Sequence, residues 1–170
     1  MDKESIVDSG AVRSGEFVAE FIEPLDGGEL DENSVQANGV DLSIGELFEL
    51  EGSSVIGNDE YEKAKRREVG LVDGSYRVSL DSAYVVVYGE KITIPENHVG
   101  LVFPRSRLMR CGLDVQTAVW DSGYSGVGEG GLVVGQDARL AEDLRVAQIV
   151  FIRTEELSEH YDGSHQGERL

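Results

Sequence analysis

The sequence predicts an all-β domain, a sandwich or barrel of jelly-roll type with one or two short helices. Segments rich in Val, Ile, Tyr and Phe recur at short intervals, and 21 glycines and three prolines cut them to strand length. The clearest helical period is brief. At 170 residues the chain has the length of one domain and can bury a core without disulfides.

The elements follow in order. Residues 14–23 place Phe17, Val18, Phe21 and Ile22 at helical spacing behind Ser14, a candidate N-cap. After the turn-like PLDGGELDENS, strands are expected within residues 40–50, 76–95, 98–104, 112–120, 130–140 and 144–153. The charged stretch GNDEYEKAKRREVG, residues 57–70, reads as a short exposed helix or a mobile loop. From Ser158 the chain is polar and without period, which in isolation reads as disorder.

Composition narrows the function classes. With 33 acidic and 15 basic residues the net charge is −18, a surface that repels nucleic-acid polymers and anionic membranes. No apolar run approaches membrane-spanning length, and the opening MDKESIVDSG is not a secretory signal, so a cytoplasmic protein is expected. Four lysines against eleven arginines, with this acid excess, fit a halophilic cytosol, where the Debye length falls to about 3 Å at molar salt. An acidic mesophile protein is the alternative. Cys111 is the single cysteine and reads as a small buried apolar residue.

Chemistry concentrates first in PRSRLMRCGL, residues 104–113. Arg105 and Arg110 offer planar forks for phosphate oxygens, and Ser106 adds a hydroxyl. Taken alone, the segment also fits two surface arginines paired with carboxylates.

Other segments bear on that choice. PRSRLMRCGL resembles the second motif of dUTPases and dCTP deaminases, and QANGVDLSIG (36–45) is similar to the first, with Asp41 as its carboxylate. AVWDSGYSGVGEG (118–130) resembles the third, DLRVAQIVF (143–151) the fourth, and YDGSHQGE (161–168) the C-terminal motif. Five segments in family order are far more specific than any one of them.

The resemblance implies a distorted jelly roll, a β-clip of dUTPase type, spanning residues 1–157, with a tail at 158–170 that closes over the active site. It implies a homotrimer acting on a deoxynucleoside triphosphate. Asp121 would activate the water that attacks the α-phosphorus, and Tyr124 would lie beneath the deoxyribose. Arg105, Ser106, Arg110 and Gln148 would share the phosphate oxygens with Mg2+, which Asp41 would reach through water. Tyr161, His165 and Gln166 would come from the tail, which has Ser164 where the family often carries a basic residue.

The branch turns on one glutamate. The resemblance implies that deaminases need a proton carrier, a glutamate, on the strand after the third motif; Gly131 stands at that position without a gap, and Val133 or a neighbour when the extra glycines are allowed for. Glu129 would share a face with residue 131 in a regular strand, but VGEGG reads as a flexible turn. Hydrolysis of dUTP to dUMP and pyrophosphate is therefore preferred. A dCTP deaminase or bifunctional enzyme is the second reading, and a non-catalytic nucleotide- or protein-binding jelly roll a third.

Overall fold

The computed structural model describes residues 12–154, 162, 163, 165–167 and 169. A helix, α1 (Gly15–Ala19), opens it, and the Ser14 hydroxyl accepts from the Phe17 amide at 3.3 Å, so the expected cap forms. Strands β1 (Ile22–Pro24), β2 (Val35–Gln36), β3 (Gly39–Glu51), β4 (Val55–Ile56), β5 (Tyr61–Glu62) and β6 (Lys65–Glu68) follow. Next come β7 (Ser75–Val78), β8 (Tyr84–Thr93), β9 (His98–Pro104) and a second short helix, α2 (Ser106–Arg110). The chain continues through β10 (Leu113–Gln116), β11 (Ser125–Val134), β12 (Ala138–Ala141) and β13 (Arg145–Arg153). Among the described residues it is the all-β, clip-like jelly roll with two short helices that the sequence predicts.

The main sheet runs β10-β11-β8-β3-β13-β9 with every neighbouring pair antiparallel. Strand β3 holds its two halves together: Val40–Ser43 pairs with β13, and Ile44–Glu49 pairs with β8. At the changeover Gly45 bulges, and a Cβ there would stand 2.8 Å from the Tyr88 carbonyl oxygen. The Ser43 amide is satisfied by Glu90, whose two carboxylate oxygens each lie 3.1 Å away, while the Ser43 hydroxyl donates at 2.6 Å. Glu90 is only 7% exposed, and burial pushes its carboxyl up to about 7 against the pull of the Ser43 bonds.

Val40, Leu42, Val86, Tyr88, Ile92, Ile149 and Phe151 are fully buried between the sheet halves. Each such aliphatic or aromatic side chain contributes about 1.5–3 kcal/mol relative to exposure.

Three expectations are corrected. Residues 57–70 form neither a helix nor a loop throughout: β5 closes a hairpin with β4, and β6 pairs with the end of β3. An edge strand buries no continuous apolar face, so no period-two pattern marks it; its charges are read across the strand, Arg67 pairing with Glu49 and, at 2.8 Å, with Glu51. Cys111 is exposed rather than buried, because it caps the C-terminus of α2, a helix that turns only Leu108 toward the core. VGEGG is not a turn but the middle of β11, paired with β8 around a bulge between Val127 and Glu129. Its glycines bring neighbouring groups close: a Cβ at Gly130 would meet the Tyr88 hydroxyl at 2.7 Å.

Candidate active site

One half of the site forms where β3, β13 and β9 lie side by side. Asp41, Gln148 and Phe103 are in register across these strands, so their side chains share one face, opposite the core residues Leu42 and Ile149. Arg105, two residues beyond Phe103, returns to that face and ion-pairs with the Asp41 carboxylate. The same Asp41 oxygen, Oδ2, accepts from Gln36 Nε2 at 3.1 Å. Asp41 is 1% exposed, and burial raises its carboxyl above the usual range, with Arg105 and Arg145 pulling the other way. Ser106 and Arg110, at the two ends of α2, are exposed next to this set.

The other half lies at the opposite end of β9. Trp120 bridges Gly100 through backbone bonds of 2.8 and 3.0 Å, and the chain then turns through Asp121–Tyr124. Gly123 adopts φ 84°, and the Tyr124 amide donates to the Asp121 carbonyl at 3.2 Å. Buried Ser122 anchors the turn: its hydroxyl accepts from the Asn97 amide at 3.1 Å and donates to the Pro95 carbonyl at 3.4 Å. Asp121 is thereby held exposed at a cleft of about 240 Å³ that Trp120, Tyr124, Gly128 and Glu129 also line. Trp120 meets Tyr124 edge to face at 5.2 Å between centroids, and its indole rests on Gly128, where a Cβ would stand 1.7 Å from the ring.

The described part of the tail reaches this second half. Gln166 accepts from the Ser125 amide at 3.2 Å and donates to the Gly123 carbonyl at 3.1 Å, and the Gly167 amide donates to Ser125 at 2.8 Å. His165 lines the cleft. Tyr161 and Ser164 lie outside the described residues.

A single chain does not bring the two halves together. Trp120 is opposite Gly100, and Arg105 is five residues further along, about 16 Å at the rise of a strand. Asp121 thus stands apart from Arg105, Ser106, Arg110 and Gln148, which the fold gathers at the other end.

Among the described residues no group of three or more His, Cys, Asp or Glu is placed to hold a metal ion. The donor set present, one buried carboxylate with an oxygen shared by Arg105 and Gln36, fits an ion carried by phosphates and waters rather than one caged by protein.

The model of the family described as dCTP deaminase-like matches residues 12–154. The chain belongs to the dCTP deaminase-like family. A probable deoxyuridine 5'-triphosphate nucleotidohydrolase of Halobacterium salinarum is 38% identical over 161 residues, covering 91% of this chain and 93% of that protein. A deoxyuridine 5'-triphosphate nucleotidohydrolase of Methanocaldococcus jannaschii is 33% identical over 144 residues, covering 81% and 90%. The 2'-deoxycytidine 5'-triphosphate deaminase of Agrobacterium tumefaciens shares the fold, with a TM-score of 0.66 at 15% identity over 85% of this chain and 49% of that one.

In this dCTP deaminase-like chain Gly131 and Glu129 do share the outward face of β11, opposite Val85 and Val87 of β8. Gly131 brings no side chain to it. Both oxygens of Glu129 are taken by Arg66 of β6, at 2.7 Å each, and this pair lowers the Glu129 carboxyl below its ordinary range. Among the described residues no helix is long and apolar enough to cross a membrane.

Several participants were not visible in the sequence. Arg66 sits in the insert that read as a helix or loop, and Gln36, Ser122 and Gly128 work through register, turn and space. The only signal was their place inside the motif segments, and Arg66 had none.

Proposed function

We propose that the protein is a dUTP diphosphatase that hydrolyses dUTP to dUMP and pyrophosphate with Mg2+, acting in the cytoplasm as a homotrimer with sites completed between copies. The relatives' names support the substrate. The hydrolytic branch rests chiefly on one observation: Gly131 leaves the strand without a proton carrier, and the nearby Glu129 is engaged through both oxygens by Arg66.

Asp121 accepts a proton from a water, the water oxygen bonds to the α-phosphorus, and the bond from that phosphorus to the α,β-bridging oxygen breaks. Pyrophosphate leaves, and dUMP keeps the new oxygen. Arg105, Ser106, Arg110 and Gln148 hold the phosphate oxygens, and Tyr124 with Trp120 walls the cleft on the sugar side. Mg2+ bound with the triphosphate would neutralise its charge, with Asp41 reaching the ion through water. Tyr161 and Gln166 belong to the tail that closes the site.

Sharing between copies is supported by the separation of the halves and by apolar side chains left exposed beside both. Phe103 and Met109 flank the arginine set, and Val119 sits two residues before Asp121. An interface covering them would unite the halves. The formal net charge of −18 supports a halophilic protein, tested by stability rising with molar KCl.

Incubation with dUTP and with dCTP, plus Mg2+ at high salt, tests the activity. We expect dUMP and pyrophosphate from dUTP. Release of dUTP from dCTP would instead indicate a deaminase, and binding of both nucleotides without turnover a non-catalytic module.

A further inference from the structure

The turn that carries Asp121 rests on residues 94–98. The Ile94 amide donates to the Tyr124 carbonyl at 2.8 Å, and the Gly123 amide donates to the Ile94 carbonyl at 3.0 Å. The Ser122 hydroxyl is pinned between the Asn97 amide and the Pro95 carbonyl. Asn97 bends at φ 57°, a conformation that residues other than glycine seldom adopt. His98 closes this cradle. Its Nδ1 lies 2.7 Å from the Glu96 carbonyl oxygen, and its Nε2 accepts from Arg13 Nε at 2.8 Å. The ring is 6% exposed and packs on Phe17 of α1 at 5.2 Å between centroids, with the Arg13 guanidinium over the same Phe17 ring at 4.6 Å. The Arg13 amide is itself tied to the Phe151 carbonyl at 2.8 Å.

We propose that His98 is a positioning residue for Asp121: as a neutral imidazole with its hydrogen on Nδ1 it fixes the cradle under the Asp121 turn, and Arg13 enforces that state. The proposal rests on the proposed function, in which Asp121 takes a proton from water, and adds the group that keeps Asp121 in place. The chemistry is a matter of donors and lone pairs. Arg13 can only donate, so Nε2 must present a lone pair; the Glu96 carbonyl can only accept, so Nδ1 must carry the hydrogen. Protonation would set N–H against N–H at Arg13 and add charge to a ring that also faces Arg153, its partner in register on β13. The carboxylate of the cradle itself is that of Glu96. Burial, with Arg13 and Arg153 beside the ring, holds the imidazole below its ordinary 6.5 against the pull of the Glu96 carbonyl. A base held low contributes its stability in full above 6.5 and loses it as pH falls through the lowered value. An imidazolium leaves Arg13, loosens the bend at Asn97 and shifts the turn, and a displacement of about 1 Å costs a reaction about a hundredfold.

The test compares wild type, His98→Asn, His98→Leu and Arg13→Met by nitrogen NMR of the imidazole, hydrogen exchange at the Gly123 amide and steady-state hydrolysis of dUTP with Mg2+. Asparagine keeps a donor for the Glu96 carbonyl and does not titrate; leucine offers none. Of the three histidines, residue 98 is the one whose signal His98→Asn removes. In wild type near pH 7.5 we expect a neutral ring with its hydrogen on Nδ1, titrating below 6.5, and a higher midpoint in Arg13→Met. His98→Leu should lower kcat by about tenfold or more with KM within about twofold, and speed Gly123 exchange by about tenfold. His98→Asn should recover most of both, and its kcat relative to wild type should rise over the pH span in which the wild-type ring takes up its proton. A purely structural tie would lower the melting temperature and leave the split between kcat and KM and the pH ratio alone. A ring that is protonated or carries its hydrogen on Nε2 near pH 7.5, or a His98→Asn no better than His98→Leu, overturns the proposal. If His98→Leu fails to fold, an unmoved ring midpoint in Arg13→Met overturns it instead. Hydrolysis of dUTP with unmoved Gly123 exchange in His98→Leu sinks the proposal and leaves the activity standing. Faster exchange in a protein that never hydrolyses dUTP removes the activity and leaves the cradle.

Discussion

The two halves of the site are built from different materials. Around Asp41 the chain uses charge: an acid that three strands set in register with Gln148, and that pairs with Arg105 and accepts from Gln36. Around Asp121 it uses shape, with a turn pinned by a buried serine, an indole lying on a glycine and a tyrosine edge-on to that indole. The first half binds oxygens wherever a phosphate presents them; the second selects what fits. Loss of a charge should therefore act on turnover, and loss of shape on recognition.

The largest expected effect is at the exposed carboxylate of the shaped half. Asp121→Asn keeps the turn, which depends on Ser122 and backbone bonds, and removes the proton acceptor. Turnover of dUTP should fall by about 10²–10⁴, the usual contribution of a general base, with the melting temperature unchanged. Persistent hydrolysis at more than a tenth of the wild-type rate would remove Asp121 from its role.

Arg105→Met comes next and divides the halves directly. Losing a preorganised cation at the phosphates should lower kcat/KM by about 10²–10³. It also leaves Asp41 buried without its partner, so the variant should be less stable. Because the halves stand about 16 Å apart along β9 in one chain, mixing Arg105→Met with Asp121→Asn protein under exchange conditions should restore activity. Some mixed sites would then receive both intact halves. Two inactive variants that stay inactive after verified exchange would show each site to be the work of one chain.

The same division explains what could be read from the sequence. Asp41, Arg105, Ser106 and Asp121 were legible because they stand in motif segments that follow one another in family order; by type alone each also fits an ion pair or a turn. The strands were legible from Val, Ile and Tyr runs, as at Tyr84–Thr93. Gly128 was not, since a glycine's letter does not say whether it makes a turn or clears space for an indole. VGEGG was misread for that reason: glycine density suggested a turn, whereas the strand needs room on its inner face for Trp120 and Tyr88. Arg66 was hidden because an edge strand is charged like a loop and its partner lies 63 residues away.

Shape should give way at Gly128. A methyl there would meet the Trp120 ring at 1.7 Å, so Gly128→Ala must displace the indole. Overpacking of this kind costs about 1–3 kcal/mol. The displaced ring narrows the cleft, so KM for dUTP should rise by roughly tenfold, since about 1.4 kcal/mol of lost contact suffices, and kcat should change less. A kcat loss at constant KM would mean that Trp120 supports Asp121 rather than walls the cleft.

The smallest effect concerns the seam that both halves depend on. Glu90 closes the Ser43 amide where β3 changes partners, and its carboxyl is raised to about 7 by burial, with Tyr88, Asp143 and Arg145 around it. A raised acid binds its proton more tightly when folded than unfolded. Its contribution to stability is therefore complete below about 4.5, the ordinary value, and is lost as pH climbs through 7. Glu90→Gln retains an acceptor for Ser43 and cannot ionise. Relative to wild type, the variant should gain stability from pH 5 to pH 8, by an amount on the order of 3 kcal/mol at most. Chemical denaturation across that range measures it. Parallel curves would mean that folded Glu90 ionises as it does in the unfolded chain, as when solvent reaches it, and the seam would then be indifferent to pH.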